Sequence, residues 1–220
     1  MRYFRIKIRP FFEGRIVSDA NGEFVADADL YFTKIRYGEI VENTPIFDYF
    51  HLQSFDKKEF WEWKLQDVYR GGWEYPGNRN WYISDRFKLL LERYIIASQY
   101  HFYETRLLYK YKKLKYWIFQ FPVTPYKNID FSKSEFILEQ ENKVYNFSSE
   151  EEYTSCYRKT YKEVKKKMKC VKIYLKDICD ITKSTNNDII VSERLKIAME
   201  KINIEGFEFS ELDYEIIVEK

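Results

Sequence analysis

Glycine and proline are scarce in this chain of 220 residues, at 7 and 5, and histidine is scarcer still, at 2. So little Gly and Pro argues against a disordered or linker-rich protein. His51 and His101 have no neighbour at metal-ligand spacing, so no histidine metal site is expected. Cys156, Cys170 and Cys179 are odd in number and include no CxxC pair, which excludes a disulfide framework or zinc knuckle as the organising principle. Folding without metal or disulfide follows as an expectation, and no cofactor is implied. Long apolar runs are also missing. The opening stretch MRYFRIKIRPFFEG alternates charged and apolar residues and lacks the apolar core of a signal peptide. No later run approaches membrane-spanning length, so a soluble cytoplasmic protein with no membrane partner is expected. Charge of one sign is lacking too. A net charge of +2 from 37 basic and 35 acidic residues gives no overall pull towards nucleic acid.

What the chain has in excess is aromatic side chains: 20 Tyr, 18 Phe and 5 Trp. Such rings bury a large area while Tyr and Trp keep a polar handle, so they suit strands, cores and interfaces.

It also has a phrase written twice. ISDRFKLLLERY (Ile83 to Tyr94) and VSERLKIAMEKI (Val191 to Ile202) share Ser, Arg, Lys and Glu at matching positions and keep the character of the rest. Ser84 and Ser192 stand where an N-cap would accept a hydrogen bond from the first helical turn. Asp85 and Glu193 follow, where a carboxylate meets the positive end of the helix dipole. Phe87, Leu90, Leu91 and Tyr94 recur at helical spacing, as do Leu195, Ala198, Met199 and Ile202, so each set forms one apolar face. Strand-like runs precede both (NWYIS, DIIVS) and follow both (YHFYETRLLY, FEF). Each copy therefore predicts a strand–helix–strand unit with Phe87 and Leu195 buried at equivalent places. An internal repeat and two independently capped helices both fit the pattern.

Elsewhere RYFRIKIR reads as a strand with Phe4, Ile6 and Ile8 on one side. GRIVSDANGEFVADADLYFTKIRYG reads as two extended pieces around a turn at DANGE. SFDKKEFWEWKLQDVYRGG fits a helix or a strand. LKYWIFQF is a strand, and EFILEQENKVYNF a hairpin. A long helix is expected from Ser148, with Tyr153, Cys156, Tyr157, Val164 and Met168 on one face, and CVKIYLK and DYEIIVE are strands. The irregular mixture points to an α+β fold of mixed or antiparallel strands with a few helices. The chain reads as one α+β domain, 1–220, with a possible strand-rich first lobe at 1–78 and a second at 79–220.

Candidate chemistry is thin. The Lys-rich stretch 158–172, taken as helical, could contact phosphates, but acid at a helix start and lysine at its end is also what the dipole favours. Carboxylates are plentiful without a distinguishable pair, so a carboxylate-dependent enzyme stays open without a named residue. DANGEFVAD has its glycine too early for a calcium loop and reads as a turn. The densest unusual feature is Phe60 to Tyr82, with four of the five Trp. Clustered Trp, Tyr and Arg dominate binding when exposed and fill cores when not. The partner-binding candidates are Trp61, Trp63, Tyr69, Arg70 and Trp73, with Asp27 and Asp29 as rim charges.

In order, ISDRFK, YHFY, YWIFQF, IDFSKSEF, VSERLK and GFEF resemble the motifs of a large family of bacterial immunity proteins from polymorphic toxin systems, first described as an uncharacterised domain common in myxobacteria. The likeness spans roughly Trp81 to Phe209; the first eighty residues lie outside it. The resemblance implies a non-enzymatic protein that binds and neutralises a cognate toxin encoded nearby, and it transfers no catalytic residue. IDFSKSEF itself reads as structural, with Asp130 and the serines closing a turn.

Overall fold

In the computed structural model the described residues are 1–9, 19–52, 64–77, 79–139, 141 and 143–218. They form an α+β fold in which strands predominate.

The repeated phrase is repeated in three dimensions. In the first copy β5 (Trp81–Ser84) runs into α2 (Asp85–Leu91), and in the second β12 (Ile189–Ser192) runs into α4 (Glu193–Lys201). Ser84 and Ser192 are the N-caps, accepting from the amides of Phe87 and Leu195 at 3.3 and 3.2 Å. Each cap strand pairs antiparallel with an earlier one: β4 (Val68–Gly71) with β5, and β11 (Ile181–Lys183) with β12. Just ahead of each hairpin stands a buried aspartate, Asp67 or Asp180. Its backbone carbonyl accepts from the cap serine's amide at 2.8 Å in both copies. Its carboxylate accepts the serine hydroxyl at 2.5 Å in both. It also takes the arginine two residues past the serine in a two-pronged grip, Arg86 on Asp67 and Arg194 on Asp180.

The two networks are exchanged between copies. The Asp67 carboxylate accepts from the amide of Glu205, just after α4, at 2.8 Å, and the Asp180 carboxylate from the amide of Ile95, just after α2, at 2.9 Å. The aspartate amides return the bonds, to the carbonyls of Glu205 and Ile95. Arg86 further satisfies the free carbonyls of Ile202 and Asn203 at the end of α4. Each copy is thus tied to the other as well as to its own hairpin. Phe87 and Leu195 are both fully buried, in one core that also holds Val68, Ile83, Ile181, Val191, Leu91 and Met199. Gly206 sits at the exchange. Its φ is +105°, and a Cβ there would lie 2.8 Å from the Val68 side chain.

Around this pair the strands form two four-stranded sheets and a closed barrel. β1 (Tyr3–Ile8) lies between β12 and β13 (Phe207–Ser210), with β11 outermost beyond β12. Its alternation puts Phe4, Ile6 and Ile8 into the shared core and Tyr3 into the next. The second sheet has the order β14 (Glu215–Val218), β10 (Met168–Leu175), β8 (Ile129–Leu138), β9 (Val144–Tyr145), with the Tyr153 face of α3 (Glu150–Val164) packed on it. A closed barrel holds β2 (Asp19–Asn21), β3 (Phe47–Leu52), β6 (His101–Tyr109), β7 (Lys112–Gln120), β5 and β4. Tyr69, Tyr82, Tyr116 and Ile118 fill the barrel interior, whereas Val68, Trp81, Ile83 and Phe119 on the same strands face the α2–α4 core. Burial on both faces explains why Trp81, Tyr82 and Ile83 form an unbroken apolar run.

Several expectations need correction. Residues 28–36 form α1 (Ala28–Arg36), not a strand; Ala28, Phe32 and Ile35 join the barrel core at helical spacing. No boundary falls at 78: β4 and β5 pair across it, and β1 pairs with strands near the other end of the sequence. The long helix begins at Glu150, capped by Ser149, and ends at Val164, where Lys165 is left-handed. Met168 therefore lies in β10, and 158–172 is not a single helix. Asp130 and the serines do close a turn, but as a bulge within β8. The Asp130 carboxylate accepts from the Ser132 amide and hydroxyl, and Ser134 donates back to the Asp130 carbonyl.

Candidate functional site: a cationic groove

The two equivalent hairpins turn towards one groove of about 600 Å³. The β4–β5 hairpin contributes Arg70, Trp73, Arg79, Asn80 and Trp81; the β11–β12 hairpin contributes Lys183, Asn187 and Ile189; the end of α1 contributes Arg36 and Tyr37. Among the described residues no carboxylate lines it, whereas four cations do.

Local chemistry fixes each wall. Arg70 pairs across the ladder with Trp81. The hairpin loop closes through the Gly71 amide on the Asn80 carbonyl, the Asn80 amide on the Gly77 carbonyl, and the Asn80 side chain on the Pro76 carbonyl. Gly77 has φ +105°, and a Cβ there would strike the stem of Arg36 at 2.8 Å, so the close approach of α1 requires glycine. The end of α1 is held by Gln120, whose amide donates to the carbonyls of Ile35 and Glu39 at 3.0 and 2.9 Å and whose oxygen accepts from the buried Tyr103 hydroxyl. Asn187 takes a left-handed conformation, φ +66°, in the second hairpin's turn.

The charges are poorly compensated. Arg70 has Asp19 at 3.8 Å. Arg36 lies over the Tyr37 ring at 5.2 Å. Lys183 is half-buried and makes no ion pair among the described residues. Burial, and then the charge of Arg79, push its ammonium below the usual lysine range. Beside these cations stand two exposed rings, Trp73 at 78% and Tyr37 at 79% exposure.

Of the residues singled out from sequence, Arg70 and Trp73 meet in this groove. Tyr69 does not. Strand alternation turns its ring into the barrel, where it is fully buried and its hydroxyl accepts from the Gln66 amide at 2.8 Å, so it offers no surface to a partner. Trp61 and Trp63 lie outside the described residues. Asp27 and Asp29 are exposed at the start of α1, and Asp29 accepts from the Tyr75 hydroxyl at 2.7 Å. Arg36, Tyr37, Arg79 and Lys183 escaped the sequence reading. Nothing local marks them, because only the packing of α1 and of the second hairpin against the first brings them together.

Other cationic surfaces carry carboxylates among their cations. A neighbouring groove of about 740 Å³ holds Lys7, Tyr157, Arg158 and Lys167, but also Asp188 and Asp213, which pair with Arg5 at 2.9 and 2.5 Å. In the Lys-rich stretch, Lys166, Lys169 and Lys172 pair with Glu141, Glu139 and Glu135. No group of three His, Cys, Asp or Glu gathers at metal-binding distance among the described residues. His51 and His101 are both held below the usual histidine range, chiefly by burial. Cys170 and Cys179 are buried thiols, pushed up to about 12 and about 11 chiefly by burial, far from a reactive thiolate. No described helix is long and apolar enough to cross a membrane. No protein-family model matches the chain, and no curated protein matches it.

Proposed function

We propose that this chain is an immunity protein, which binds a cognate bacterial toxin in the cytoplasm and neutralises it stoichiometrically, without catalysis. The observation that supports this reading most is the groove. It gathers Arg36, Arg70, Arg79 and Lys183 around exposed Trp73 and Tyr37, with no carboxylate in the lining among the described residues. Exposed Trp, Tyr and Arg at the centre of a concave surface are the groups that carry protein–protein affinity. The two most buried aspartates among the described residues, Asp67 and Asp180, are both engaged in the capping networks, as suits a structural role. The order of motifs, which resembles that of an immunity family, is the sequence feature behind the same reading.

A single-stranded nucleic acid is the second reading, favoured by Trp73 beside Arg70 and Arg79, because ring stacking plus backbone charge is how unpaired bases are held. The deciding experiment is co-expression with the toxin encoded beside the gene. Rescue of growth and a stable complex on size exclusion are the expected outcomes; a toxic neighbour that is neither rescued nor bound overturns the immunity reading.

A further inference from the structure

We infer that the groove is a receptor for a carboxylate-rich segment of a protein partner, with Lys183 and Arg79 as its anchoring cations. The inference rests on the partner-binding role proposed for this groove and adds the chemistry of what enters it. Lys183 stands on β11, half out of water, beside the like charge of Arg79 and with no carboxylate in reach among the described residues. Such an arrangement is electrostatically unfavourable on its own and is relieved when an anion enters. Arg70 and Arg79 add planar forks that match a carboxylate in two-pronged geometry.

Charge complementarity selects an acidic peptide over nucleic acid. A phosphate backbone needs an extended cationic track. Here the cation-only lining ends at Asn187: the adjoining groove brings Lys7, Arg158 and Lys167 but also Asp188 and Asp213, so a polyanion that tracked onward would meet two carboxylates. The lysines beyond it on β10 are already paired with glutamates. A compact cluster suits a few clustered side-chain carboxylates, with Trp73 covering the apolar part of the segment.

The test uses the full chain and needs no toxin. Fluorescein-labelled hexaglutamate is titrated by anisotropy at low ionic strength against hexalysine and a hexameric oligo-dT. Saturable binding of hexaglutamate is expected, weakened roughly tenfold by Lys183→Gln with Arg79→Gln, and weakened by salt. Should the double variant fail to melt like the wild type, Arg79→Gln alone, at an exposed position, carries the comparison. Tighter binding of oligo-dT, unchanged affinity in the variants, or no saturable hexaglutamate binding overturns the inference. The immunity reading fails separately, in the co-expression experiment. If the wild type rescues and the double variant rescues equally, immunity stands and the acidic-segment assignment falls.

Discussion

Replacing Asp180 with Asn tests whether the reciprocal caps hold the fold together. The Asp180 side chain is wholly buried and accepts four hydrogen bonds: from Ser192 Oγ at 2.5 Å, Arg194 Nε and Nη2 at 2.5 and 2.6 Å, and the Ile95 amide at 2.9 Å. Asparagine keeps the shape but turns an NH2 against donors. A hydrogen bond to a charged partner is worth about 1.5–3 kcal/mol, and a stranded buried donor costs about 1–3 kcal/mol. Arg194 is 52% exposed and regains water, so its share is discounted. A loss of about 2–4 kcal/mol is expected in a urea titration at neutral pH. The pH dependence has a definite sign. Burial raises the Asp180 carboxyl, but hydrogen bonds from Arg194, Ser192 and Ile95 and the charge of Arg194 outweigh it and hold the group below the usual carboxylate range. A depressed folded-state value means stability that is present above the unfolded value of about 4 and lost as pH falls through the folded one. The gap between wild type and Asp180→Asn should therefore narrow on acidification. Asp67→Asn should cost a similar amount, because its bonds to Ser84, Arg86 and Glu205 are the same set. A loss below about 0.5 kcal/mol in either variant, the range of an ordinary surface substitution, would refute the structural role argued for these networks.

Much of this scaffold was legible because local chemistry dictates it. A serine before an acidic residue and an apolar helical stripe has few alternatives, and both caps form where the pattern places them. The aspartates were not legible. Asp67 and Asp180 sit at different distances ahead of their serines, and their partners Glu205 and Ile95 come from the opposite copy, so no local spacing marks them. The error over α1 has a different origin. Ala28, Phe32 and Ile35 carry its helical period, but Tyr31 and Thr33 between them are residues that favour strands.

The groove was half legible for the same reason. Arg70 and Trp73 lie in a conspicuous aromatic run, whereas Lys183 and Arg36 are ordinary residues until the two hairpins and α1 converge. Tyr69 marks the limit of composition as a guide. It shares that run with Trp73, but alternation along β4 sends its ring into the barrel.

Ser192→Ala, which removes a fully buried cap, should cost about 0.5–2 kcal/mol by denaturant titration, and the half-buried Ser84→Ala no more than that. Gly206→Ala should destabilise by about 1–3 kcal/mol, because φ is +105° and the added Cβ meets Val68; a neutral result would mean that the crossing segment shifts freely. Trp73→Ala should change stability by less than about 0.5 kcal/mol, as suits a ring 78% exposed, yet weaken the complex with the partner by about 2 kcal/mol or more, read by calorimetry. Lys183→Met separates function from structure most sharply. The methionine keeps the apolar stem and removes an ammonium that burial and Arg79 already disfavour. After discounting for its remaining exposure, the variant should be as stable as wild type or more stable by up to about 1 kcal/mol. A lysine whose folded value is lowered binds fewer protons folded than unfolded, so wild-type stability should gain on the variant as pH climbs towards the ordinary lysine value of about 10.4. Binding of the acidic segment should fall in the same variant. A residue kept for folding would lose stability on this substitution; a residue kept for an anionic partner gains stability and loses the partner. A Lys183→Met variant more than about 1 kcal/mol less stable than wild type would refute the assignment of Lys183 as an uncompensated charge.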